Sequence, residues 1–75
     1  MASFKEMTRD EASKTVRRIV VFSWSEQEIR AKLTEAGFDG KGAEIETNKT
    51  GTSFSATVMV NGPDGDIITA SRQPN

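Results

Sequence analysis

The chain lacks cysteine and histidine altogether. Without cysteine there is no disulfide framework, no thiolate nucleophile and no Cys-ligated zinc. Without histidine the side chain that titrates nearest neutral pH is missing, and with it the commonest general base. No Gly-rich phosphate loop of the Walker type occurs either. These absences point away from an enzyme, and they suggest neither a cofactor nor a metal. Tyrosine is absent too, so Trp24, Phe4, Phe22, Phe38 and Phe54 carry all the aromatic bulk and are expected to be buried for the most part. No apolar run approaches a membrane span, and the opening MASFKEMTRD has no signal-peptide core, so a cytoplasmic protein with no membrane contact is expected.

Charge is scarce in net terms. Ten basic and eleven acidic side chains leave a net charge of −1 over 75 residues, which gives no global attraction to nucleic acid. Up to Ala36 there are seven basic and six acidic residues, so no half of the chain is strongly basic. With hydrophobic residues at 35%, a chain this short builds one core and gains more than a larger domain from covering a face by association. It reads as a single domain over residues 1–75, with 1–7 a loose arm pinned only by Phe4 and 73–75 frayed.

What is present is well-marked punctuation. Over residues 25–38, SEQEIRAKLTEAGF, Ser25 and Glu28 have the spacing of a capping box, and Trp24 before them can staple onto Ile29. Gly37 fits the left-handed position after a helix, with Phe38 placed for the apolar contact of a Schellman motif. Ile29, Leu33 and Ala36 form the apolar stripe, while Glu26, Gln27, Arg30, Lys32 and Glu35 face water. Thr8 and Glu11 repeat the box, with Met7 and Ala12 as a second staple, so an earlier helix starts at Arg9. Ala12, Val16, Ile19, Val20 and Ser23 share one face at helical spacing. Residues 19–22 are β-branched and aromatic, and Val20, Phe22 and Trp24 also alternate as on a strand; the uninterrupted run and the strong cap favour helix. Two helices this close leave residues 22–25 as a sharp corner, with Phe22 and Trp24 expected in the core beneath it.

After Phe38 the cluster Asp39-Gly40-Lys41-Gly42 breaks the helical period. Residues 43–48 alternate, with Ala43, Ile45 and Thr47 on one face and Glu44 and Glu46 on the other. Lys49-Thr50-Gly51 supplies hairpin chemistry, residues 52–60 turn Phe54, Ala56, Val58 and Val60 inward, and after the turn at 61–65 residues 66–72 alternate again. The predicted fold is α+β: two N-terminal helices packed on one face of a three-stranded antiparallel β-meander, α-α-β-β-β.

Three groups of residues invite a functional reading. Lys14, Arg17 and Arg18 on the outer face of the first helix can grip nucleic acid or an acidic partner; the structural reading, an Asp10–Lys14–Arg18 ladder at i,i+4 that solubilises the helix, is favoured. Glu44 with Glu46, and Asn61, Asp64 and Asp66, carry carboxylates, but read best as a solvated strand face and turn chemistry without metal-binding spacing. The outward sheet residues Ser55, Thr57, Met59, Ile67 and Thr69 are nearly uncharged, with Met59 and Ile67 expected as cross-strand neighbours. Only Glu44, Glu46 and Arg72 are expected to guard that face, so a homodimer or a larger symmetric assembly built on it is expected, with Met59, Ile67 and Thr57 near its centre.

The helix SEQEIRAKLTEAGF resembles many generic helices of the pattern E-I/L-x-x-x-L-x-x-A-G-F that precede a strand, a likeness that implies no function. The expected function is a small non-catalytic binding module that occupies the surface of a protein partner. Short chains of this kind are frequent in phages and mobile elements, where they inhibit host machinery, which makes that class the base-rate expectation. A nucleic-acid binder using the first helix is the second reading and a small-ligand-sequestering oligomer the third.

Overall fold

The computed structural model describes residues 8–62 and 65–73. The Phe4 pin and the Met7 staple lie outside that range. The chain folds as α1 (Arg9–Val21), α2 (Glu26–Glu35), β1 (Glu44–Thr50), β2 (Ser53–Asn61) and β3 (Ile67–Arg72), with the strands antiparallel in the order β1-β2-β3. This is the α-α-β-β-β arrangement read from the sequence.

The helix starts follow from their caps. Thr8 Oγ1 accepts from Glu11 N–H at 3.2 Å, and the Glu11 carboxylate accepts from Thr8 N–H at 3.4 Å, which closes the box. At α2 only half the expected box forms: Ser25 Oγ accepts from Glu28 N–H at 3.1 Å, but the Glu28 carboxylate accepts from Trp24 N–H, one residue earlier, at 2.7 Å. Reaching back one residue further lets Glu28 brace the corner as well as the helix. That hydrogen bond is the main cause holding the Glu28 carboxyl below the usual carboxylate range, with Lys32 beside it adding a smaller pull. At the other end Gly37 adopts φ 96°; Phe38 N–H donates to Leu33 O at 2.9 Å and Gly37 N–H to Thr34 O at 3.0 Å, the two bonds of a Schellman motif.

The inner sheet face is built by strand alternation. Phe54, Ala56, Val58 and Val60 of β2 and Ile68 and Ala70 of β3 are buried under Ala12, Val16 and Val20 of α1 and Ile29 and Leu33 of α2. Helix α1 lies chiefly along β3, and α2 meets the sheet at β1. Beyond Ile45 the cover runs out: residues 46–52 are all exposed, so Thr47 has inward parity without burial. Thr50 pairs with Ser53, leaving a two-residue turn with Gly51 at φ 60°, the position where a II′ hairpin turn takes glycine.

Four side chains sit elsewhere than the sequence suggests. Phe22 and Trp24 are 67% and 48% exposed rather than wedged in the core. The corner is filled instead by Ser23, fully buried, whose hydroxyl donates to Ile19 O; α1 stops at Val21, and the C-cap Phe22 projects outward. Arg30 does not simply face water: besides its ion pair with Glu26, its Nη1 donates to the carbonyls of Gly40, Lys41 and Ala43, latching the turn that leads into β1. Arg72 does not guard the outer face. It is 8% exposed on the inner one, where Nη1 donates to Val21 O at 3.2 Å and Ser23 O at 2.8 Å. Its guanidinium carbon stands 4.6 Å from the Trp24 ring centroid and 5.3 Å from that of Phe54.

Leu33→Ala should cost about 2–5 kcal/mol, as for a fully buried large-to-small change, read from urea denaturation; a midpoint at the wild-type value would contradict the packing of α2 on the sheet. Arg72→Ala strands two carbonyls and two ring faces and should cost roughly 2–4 kcal/mol, with a red shift in emission from Trp24, the single tryptophan. Arg72→Lys should recover little, because an ammonium is more strongly hydrated than a guanidinium and costs more to bury against the two rings. A carboxylate whose folded pKa is lowered contributes stability above its ordinary pKa and loses it as pH falls through the lowered value. Acidification should therefore lower the melting temperature of the wild type more than that of Glu28→Gln, and equal losses would remove Glu28 from the account.

Candidate functional site

Two surfaces of the domain carry side chains that the core does not use. The first is the outer sheet face, populated by alternate residues of each strand because successive side chains point to opposite sides. Across the strands Glu44, Met59 and Thr69 form one row, and Glu46, Thr57 and Ser71 the next. Ser55 stands opposite Asn48 and is half-buried. Met59 and Ile67 are 38% and 62% exposed. They are diagonal neighbours rather than a direct pair, because Ile67 pairs with Asn61 and Met59 with Thr69. Diagonal positions remain within reach of long side chains, and the two help to line a depression of about 150 Å³ with Gly42, Glu44, Val60 and Asn61. The apolar spot thus lies at the end of the sheet where β1 and β3 begin, away from the centre. A second depression of about 550 Å³, lined by Arg30, Ala43, Ile45, Glu46 and Thr57 together with Glu44 and Met59, runs round the β1 edge. With Arg72 drawn inside, Glu44 and Glu46 are the charged side chains among the outward positions of the three strands.

The second surface is the outer side of α1. Lys14, Arg17 and Arg18 are exposed and stand at i, i+3 and i+4, hence on one face. The ladder expected from Asp10 is not formed. Among the described residues the ion pairs are Arg9–Asp66, Arg30–Glu26 and Lys32–Glu28, so none of the three cations is paired there. Beside them the exposed side chains of Val21 and Phe22 complete a shallow depression of about 280 Å³. Val21 and Phe22 are the surface residues that sequence reasoning missed, because an apolar run ending a helix carries no mark of which residues overrun the core.

Neither carboxylate group assembles further. Among the described residues no three of Asp, Glu, His and Cys come together as a metal site, and Asp66 is engaged by Arg9 at 3.6 Å. Asp64 lies outside the described residues. The displaced titration belongs to Glu28, whose cause is a helix start rather than a cleft. No helix among the described residues is long and apolar enough to cross a membrane.

The chain matches no protein-family model, no curated protein and no solved structure.

Proposed function

We propose that this chain is a non-catalytic binding module that acts by occupying the surface of a partner protein with its outer sheet face. The observation that carries the reading is the exposed pair Met59 and Ile67, set beside the uncharged Thr57, Thr69 and Ser55 on a face that no element among the described residues covers. Exposed apolar groups next to one another on a small domain mark contact surfaces. Glu44 and Glu46 at the margin favour a partner that offers cations around an apolar side chain. Blocking a piece of host machinery, as small proteins of phages and mobile elements do, is an activity such a face can perform without catalytic groups.

A homodimer is the second reading, favoured by one observation: β1 is an edge strand exposed from Glu46 onward, and an unpaired edge is a template for pairing. Against it, a two-fold contact on this face brings Glu44 and Glu46 near their own copies with no cation among the outward strand positions to relieve them.

A photo-crosslinking residue placed at Met59 or Ile67 in cells of the native host should trap one discrete protein, while the same residue at Gln27 or Glu35 traps none. Equal labelling from all four positions, or none from any, would refute the assignment. Light scattering at micromolar concentration separates the two readings: a mass of one chain supports the partner, and a mass of two that Met59→Lys returns to one supports the dimer.

A further inference from the structure

The basic side of α1 belongs to neither the core nor the sheet face, and it combines two features that point to one kind of ligand. Three cations at helical spacing have no ion-pair partner among the described residues. The helix dipole accounts for Arg18, which is in the last turn, but it fades within one turn and does not account for Lys14 or Arg17. Directly beside them Phe22, two-thirds exposed, offers a ring that packs on nothing in the core, whereas Trp24 two residues on is stacked over Arg72. An open aromatic ring flanked by exposed cations is the combination by which single strands are held: phosphates on the cations, a base on the ring.

We propose that Lys14, Arg17, Arg18 and Phe22 form a short binding site for single-stranded nucleic acid, taking two or three nucleotides with one base stacked on Phe22. The size of the patch favours this ligand. Five side chains around a depression of about 280 Å³ match a base and its neighbouring phosphates, and fall well short of the roughly 20–30 residues that a stable protein contact uses on each partner. An anionic membrane is also a poor match, because Val21 and Phe22 are the apolar side chains there, and even one acyl chain gives only marginal membrane binding. Cations three and four residues apart on a helix stand about 5–6 Å from one another, within reach of consecutive phosphates on a flexible strand. The net charge of −1 makes the site local and its affinity dependent on salt. This site is separate from the sheet face, and its success or failure leaves the protein-binding reading where it stands.

The test is fluorescence anisotropy of a labelled oligothymidylate titrated with the full chain between about 50 and about 200 mM salt. With three phosphates neutralised, a plot of log affinity against log salt should fall with a slope of about −2, from roughly −0.7 per phosphate on a single strand. Arg17→Gln with Arg18→Gln should flatten the slope to about −0.7, and Arg17→Lys with Arg18→Lys should restore it, which a merely structural role of the arginines would not do. Phe22→Ala should weaken binding roughly 5- to 150-fold at every salt concentration without changing the slope, the loss of one stacked base. Circular dichroism should show all three variants folded, since none of these side chains is buried; if the double glutamine variant unfolds, Arg17→Gln alone with a loss of about 0.7 in slope serves the same purpose. No binding at the lowest salt overturns the proposal. So does binding that Phe22→Ala leaves unchanged, binding to duplex as tight as to single strand, or binding only to vesicles of anionic lipid.

Discussion

One buried positive charge holds the two layers together. Arg72 ends β3 on the inner face of the sheet, where a cation without a counter-ion is costly, and no carboxylate pairs with it among the described residues. It is stabilised by dipoles and rings instead. The carbonyls of Val21 and Ser23 are left over where α1 stops, at the negative end of its dipole, so one guanidinium satisfies groups that the helix itself cannot. The rings of Trp24 and Phe54, their centroids 6.3 Å apart, meet it from adjacent sides, a contact that gains strength as water is removed. Val21, Ser23 and Trp24 belong to the end of α1 and the corner after it, and Phe54 to β2, so Arg72 ties β3, β2 and the α1–α2 corner at a single point.

That arrangement decides what is left for the surfaces. Since the corner position goes to Ser23 and the space below it to Arg72, no room remains there for Phe22, and α1 ends with an aromatic ring outside beside its basic face. Since Arg72 points inward, the outer sheet face has lost the cation that would have balanced Glu44 and Glu46. The acidic, partly apolar sheet face and the basic, partly apolar helix face therefore have a common origin, and a net charge near zero conceals both.

Most of the fold could be read from local chemistry, because its signals are short-range. The Thr8 box, the Schellman end at Gly37 and Phe38 and the glycine of the first hairpin each depend on residues within five positions of one another, and the alternation through residues 53–60 lies within one strand. The misplaced residues depend on distant partners. Arg30 reads as a solvent residue until the turn at Gly40 folds back on it; a Cβ at Gly40 would meet the Arg30 carbonyl oxygen and Thr34 Oγ1, so that glycine is required by contact rather than by its own backbone angle. Phe22 and Trp24 read as core because aromatics are usually buried, yet burial was limited by the space at one corner. Arg72 shows two signals in conflict: it shares parity with Ile68 and Ala70, which places it inward, and its charge argued the opposite. Parity prevailed because a strand cannot turn one side chain over without losing its register.

The candidate surfaces were legible only in part, for a related reason. Strand parity placed Met59, Thr57, Ile67, Thr69 and Ser55 on one face correctly, but the stagger that makes Met59 and Ile67 diagonal depends on the turn between β2 and β3. On α1 the sequence showed the cations but not whether Asp10 would reach Lys14. The exposed Met59, Ile67, Val21 and Phe22 belong to none of the fully buried contacts on which the fold rests. In a domain of this size the margin between folded and unfolded is only about 5–15 kcal/mol, and a single buried leucine is a large share of it. Side chains outside that core carry little of the margin, so both faces can change without unfolding the protein, and the core constrains neither of them. Their chemistry was free to be set by what they touch.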